Sequence, residues 1–177
     1  MSIPRYYPIG SVTVGSGGAA DIEFTNIPQT YTDLLVYLSI RTEDTGAYNG
    51  ATKMTFNNNS NAVYSFRRLL GNGSAASSSS GSSQTFIRVS NNAPTTSDTA
   101  STFSNSMLYI PNYTGTTAKS TSEDNVSESN TTTAYAQLVA GLWNPATQAA
   151  ITSIKFTRET LNISQYSTAT LYGIKDS

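Results

Sequence analysis

Apolar side chains in this chain recur at every second position, in short runs separated by clusters of Gly, Pro, Asn and Ser, and helical spacing is scarce. A period of two sends alternate side chains to opposite faces of an extended strand, so such a chain folds by pairing strands and burying one face of each sheet. Residues 34–41 show it best, with Leu34, Val36, Leu38 and Ile40 on one face and Leu35, Tyr37, Ser39 and Arg41 on the other. Comparable runs cover residues 11–14, 21–24, 52–56, 63–70, 85–89, 103–110, 135–143, 151–156 and 168–174. That makes roughly ten strands at the spacing of a sandwich or barrel. Parallel sheets need a crossover of about a dozen residues or more between strands, usually a helix, and no helix-like segment is present. The expected fold is therefore all-β: an antiparallel β-sandwich, jelly-roll-like in topology.

Some local connections follow from turn chemistry. Gly15, Gly17 and Gly18 read as a turn joining 11–14 to 21–24 in a hairpin, and the Asn-rich stretch 57–61 reads as a turn joining 52–56 to the following run. Residues 71–83 hold four consecutive serines at 77–80 and nothing to bury, which predicts a mobile loop. Residues 119–130, rich in Ser, Thr and Asn, read as a second polar loop. Trp143 and Tyr135 share one face of their strand and read as core.

A length of 177 residues fits one domain with a real core. Charged residues make up only 12% and the formal net charge is -1, so the modest 37% hydrophobic content does not imply disorder. The domain is expected to span residues 11–177, with residues 1–10 forming an extended N-terminal arm. Within that arm Pro4, Arg5, Tyr6, Tyr7 and Pro8 form the candidate partner-contact segment: prolines oppose helix and central strand, and paired tyrosines offer large contact area at low entropic cost.

The chain has no His and no Cys, which removes imidazole bases, thiolate nucleophiles and disulfides together. Most acids fall at expected loop positions or polar strand faces. Glu43 with Asp44 and Glu123 with Asp124 lack the regular oxygen spacing of a calcium loop, so no catalytic, cofactor or metal site is expected. A pI near 5.3 lacks the basic excess that phosphate neutralisation requires, so nucleic acid is not an expected partner. No stretch approaches the apolar length of a membrane helix, and the first ten residues lack the apolar centre of a signal peptide, so neither membrane insertion nor export is expected.

Four segments in order, FTNIPQTYTDLLVYLSIR (24–41), YSFRRLLGNG (64–73), GLWNPATQAAITSIKF (141–156) and QYSTATLYGIK (165–175), resemble a widespread group of tailed-bacteriophage virion proteins. The resemblance implies a non-enzymatic β-sandwich structural protein of the particle. It leaves two places open. One is a capsid decoration (cement) protein on the capsid surface, expected as a homotrimer, that binds the major capsid protein lattice and stabilises the shell. The other is a tail-fibre or receptor-binding module that recognises host surface glycan. Fibre proteins carry a shaft or coiled coil ahead of the tip, and the absence of heptads and repeats favours the shell.

Overall fold

Leu34, Val36, Leu38 and Ile40 are all buried, and the alternation that places them on one face runs through most of the molecule. The computed structural model describes residues 4–48, 50–131, 133–158 and 160–176. Among them twelve strands follow one another, two more than the periodicity suggested: β1 (Pro4–Thr13), β2 (Asp21–Phe24), β3 (Asp33–Ser39), β4 (Gly50–Phe56), β5 (Tyr64–Gly71), β6 (Ala76–Gln84), β7 (Ile87–Ala93), β8 (Asn105–Ile110), β9 (Lys119–Ser127), β10 (Tyr135–Trp143), β11 (Ile154–Thr157) and β12 (Thr168–Asp176).

They form two antiparallel sheets, an eight-stranded one in the order β1-β12-β3-β8-β9-β10-β5-β6 and a four-stranded one in the order β2-β11-β4-β7. Without β1, β12 and the hairpin β9 to β10, eight strands remain. Their alternation between the sheets is that of a jelly roll. The added strands widen one sheet to twice the other, so the fold is an open sandwich rather than a closed barrel.

The core lies between the sheets. Ile22, Phe24, Met54, Phe56, Ile87, Val89, Ile154 and Phe156 from the small sheet meet Leu34, Val36, Leu38, Leu108, Ile110, Val139 and Leu171 from the large one. Phe56 and Trp143 rings lie 5.6 Å apart across the gap, and Tyr64 stacks on Trp143 at 6.5 Å. Tyr64 also accepts the Phe56 backbone N–H at 3.0 Å and donates to the Asn59 carbonyl at 2.8 Å, so its buried hydroxyl is satisfied.

Both expected hairpins are replaced by crossings between sheets. β1 pairs with β12 while β2 pairs with β11, and β4 pairs with β7 and β11 while β5 pairs with β6 and β10. The connections are seven residues each, 14–20 and 57–63, long enough to arch over the roughly 10 Å between packed sheets. Packing apolar faces against each other then buries more than edge pairing would. Asn57 and Asn58 do turn the chain, at φ of 51° and 52°, and the Asn57 carboxamide oxygen accepts the N–H groups of Thr152 and Ser153.

Two expected loops are strands. Residues 76–84 pair with β5 as β6, and 119–127 form β9 between β8 and β10. Backbone pairing with a strong neighbour supplies what their serines and threonines do not. Pro4–Thr13 is one strand, paired to β12 with a bulge at Ile9. The prolines are accommodated because β1 is an edge strand and need donate only on one side.

Candidate interaction face

The outer side of the large sheet is built from positions that a sandwich normally gives to polar residues. Because directly paired residues share a face, the register traces two rows across all eight strands. One row runs Ser11, Thr170, Tyr37, Met107, Asp124, Leu138, Leu69, Ser78. The next runs Pro8, Tyr172, Leu35, Tyr109, Ser122, Ala140, Arg67, Ser80. In the first, Tyr37 is 45% exposed, Met107 44%, Leu138 61% and Leu69 52%. Single exposed apolar residues are ordinary, but four in one transverse row form a patch of the kind that marks an interaction site.

Its two ends differ. At the β1 end, Tyr6, Tyr37 and Tyr172 line a small cleft of about 140 Å³, with Tyr37 and Tyr172 edge to face at 6.0 Å. At the β6 end, Arg67, Leu69, Ser78, Ser80, Leu138 and Ala140 line a shallow groove of about 700 Å³. Between them Tyr109 donates its hydroxyl to Asp33 at 2.7 Å; this bond, ahead of partial burial, pushes the phenol pKa up to about 12 and keeps it a donor. Asp124 sits between Met107 and Leu138, so the apolar row carries one carboxylate at its middle.

The segment singled out from the sequence divides between the two faces. Pro4, Arg5, Tyr6, Tyr7 and Pro8 are exposed and lie on β1. Tyr6 joins the outer cleft, whereas Tyr7 stacks on Tyr31 at 5.6 Å on the other side. Sequence reasoning missed Tyr37, Met107, Leu138 and Leu69. Their signal was present: large apolar residues stood on both faces of runs 34–41, 103–110 and 135–143, where a solvated face would carry polar ones.

The inner side of the same strands is polar where it faces β7. Lys119, Thr121, Glu123, Asn125 and Ser127 of β9 are all buried. Glu123 accepts the Ser90 N–H, Ser90 shares a hydrogen bond with Ser106 at 2.8 Å, and Ser106 donates to Asn125 at 2.9 Å. Desolvation raises the Glu123 pKa to about 7. The neighbouring acid pair is also split: Asp124 points outward. Asp44 is buried in an ion pair with Arg158. Asp98 accepts the N–H groups of Tyr48 and Thr95 at 2.9 and 2.7 Å. These carboxylates are committed to holding loops and sheets together. No group of three or more acids able to hold a metal ion is found among the described residues.

No protein-family model matches the chain, and searches of curated proteins and of solved structures likewise return no match.

Proposed function

We propose that this chain is a capsid decoration protein of a tailed bacteriophage, laying the outer face of its eight-stranded sheet on the major capsid protein lattice. The observation that carries this reading is the transverse row Tyr37, Met107, Leu138 and Leu69, exposed on a broad regular sheet. The sequence resemblance supports the choice of particle, and the row supports the choice of surface. Many copies on one shell make weak individual contacts sufficient, and binding the assembled lattice in preference to free subunits stabilises it by mass action.

Sedimentation of the purified protein with shells stripped of it tests the reading. Intact protein co-sediments at saturating, symmetry-related copy number. Protein that stays in the supernatant at all concentrations contradicts the proposal.

The cleft of Tyr6, Tyr37 and Tyr172 favours a second reading, recognition of host surface glycan at the tail, because sugar rings stack on exposed aromatic faces. Binding to host cells that Tyr6→Ala removes, without any effect on shells, selects this reading over the first.

A further inference from the structure

The two sheets have four edge strands, β1, β6, β2 and β7, and an edge is a row of backbone donors and acceptors ready to pair with another chain. Three of these edges are blunted. β1 carries Pro4 and Pro8 and bulges between Pro8 and Gly10. β2 is four residues long, and its Asp21 and Glu23 hold Lys155. β7 carries Arg88 and is bent by left-handed backbone at Ser90 and Asn92, φ 45° and 64°.

From Ala76 to Gly81 β6 has none of these devices; a register shift against β5 and left-handed backbone at Ser83, φ 52°, come only after Gly81. Its sequence, ASSSSGSSQ, contains no charge and no proline, and its side chains are almost all exposed. From Ala76 to Gly81 it pairs with β5 in unbroken register, so its free side is a straight six-residue ladder. Gly81 belongs to that ladder because the Phe66 ring occupies the place a Cβ would take, at 2.6 Å.

We propose that the free edge of β6 pairs antiparallel with β6 of a second copy, joining two eight-stranded sheets about a two-fold axis. The occupant follows from the chemistry of the edge. The donor and acceptor pattern of an antiparallel edge is complementary to itself under two-fold rotation. An uncharged strand meets no like charge when it faces its own copy, and small serines let two backbones approach without clash. Arg67 lies one strand further in, opposite Ser80. Across the joint the two Arg67 side chains are about three strand spacings apart, roughly 14 Å, beyond the screening length at physiological salt. Such pairing closes at two copies, a different symmetry from the homotrimer expected with the resemblance. It buries far less than a standard interface, so it is weak in solution, with a dissociation constant on the order of 100 µM. It gains strength where copies are already held side by side on a lattice.

Sedimentation equilibrium of the full chain from about 10 µM to about 1 mM, with amide hydrogen exchange at both ends of that range, tests this. The expected result is a reversible monomer to dimer equilibrium in which the outward amides of 76–81 slow as dimer forms. The double variant Ser78→Lys, Ser80→Lys places like charges across the joint without touching the β5 ladder. It keeps the wild-type melting temperature and weakens dimerisation by about tenfold or more. A wild-type chain that stays monomeric throughout overturns the proposal. So does an assembly in which exchange of 76–81 is independent of concentration, or one that the lysines leave unchanged.

Discussion

The carboxylate of Glu123 on β9 accepts the backbone N–H of Ser90 on β7 at 2.6 Å, a hydrogen bond that crosses from one sheet to the other inside the sandwich. Its other oxygen has no partner among the described residues. Burial therefore favours the neutral acid, and the nearby Asp124 charge adds to the effect, lifting the pKa from 4.5 to about 7.

That shift couples stability to pH. A carboxyl whose folded pKa lies above its unfolded value binds its proton more tightly in the native state. Its contribution is fully present below about 4.5 and is lost as pH rises through about 7. Glu123→Gln, which is neutral at every pH, is expected to match wild type near pH 4 and to exceed it near pH 8 by roughly 3 kcal/mol. Urea unfolding at the two pH values checks this; a difference between the variants that does not change with pH contradicts it.

Asp44 and Arg158 form a buried ion pair that ties the loop after β3 to the segment after β11. Removing Asp44 takes its carboxylate away from a guanidinium held in a poorly solvated place. Asp44→Ala is expected to cost about 3 kcal/mol or more. A loss under about 1 kcal/mol in equilibrium denaturation would show that solvent reaches the pair.

Gly173 lies beneath the Tyr31 ring, where an added Cβ would come within 2.3 Å of ring carbons. The same ring carries Tyr7 stacked upon it, so the contact braces β1 against β12. Gly173→Ala must displace Tyr31, with an expected loss of about 1 to 3 kcal/mol and faster amide exchange along β1. Unchanged exchange in β1 would show that Tyr31 does not brace it. For the same reason deleting the first ten residues is a poor probe of partner binding, because it strips β12 of its neighbour.

Which side chains go inward was legible from period two alone in β3, β8, β10 and β12, where Leu34, Leu108, Val139 and Leu171 are buried as their spacing implies. Which strands pair was not. The turns at 15–18 and 57–61 look local in sequence, but apolar faces on both sides of each turn gain more by packing across the sandwich than by pairing edge to edge. β6 and β9 look like loops in the sequence because their residues carry little hydrophobic signal; one is held by β5 and the other by flanking strands whose side chains do carry it. Glu123 looked like a solvated acid because nothing in SEDN distinguishes a strand buried against polar neighbours from an exposed one.

The outer row offers a substitution that separates folding from binding. Leu138 faces Asp124 across the β9 to β10 pair, so Leu138→Lys gains a countercharge in the free protein and is expected to shift stability by no more than about 0.5 kcal/mol. A dry interface leaves that ammonium buried. Shell co-sedimentation is expected to fall at least about tenfold, and undiminished binding by a folded Leu138→Lys protein would place the contact elsewhere.

The most direct measurement is a cryo-electron microscopy reconstruction of phage particles assembled with this protein. Jelly-roll density is expected at capsomer junctions, with the row Tyr37, Met107, Leu138 and Leu69 against the major capsid protein. Density confined to the tail, or decoration with that face turned to solvent, would contradict the proposal.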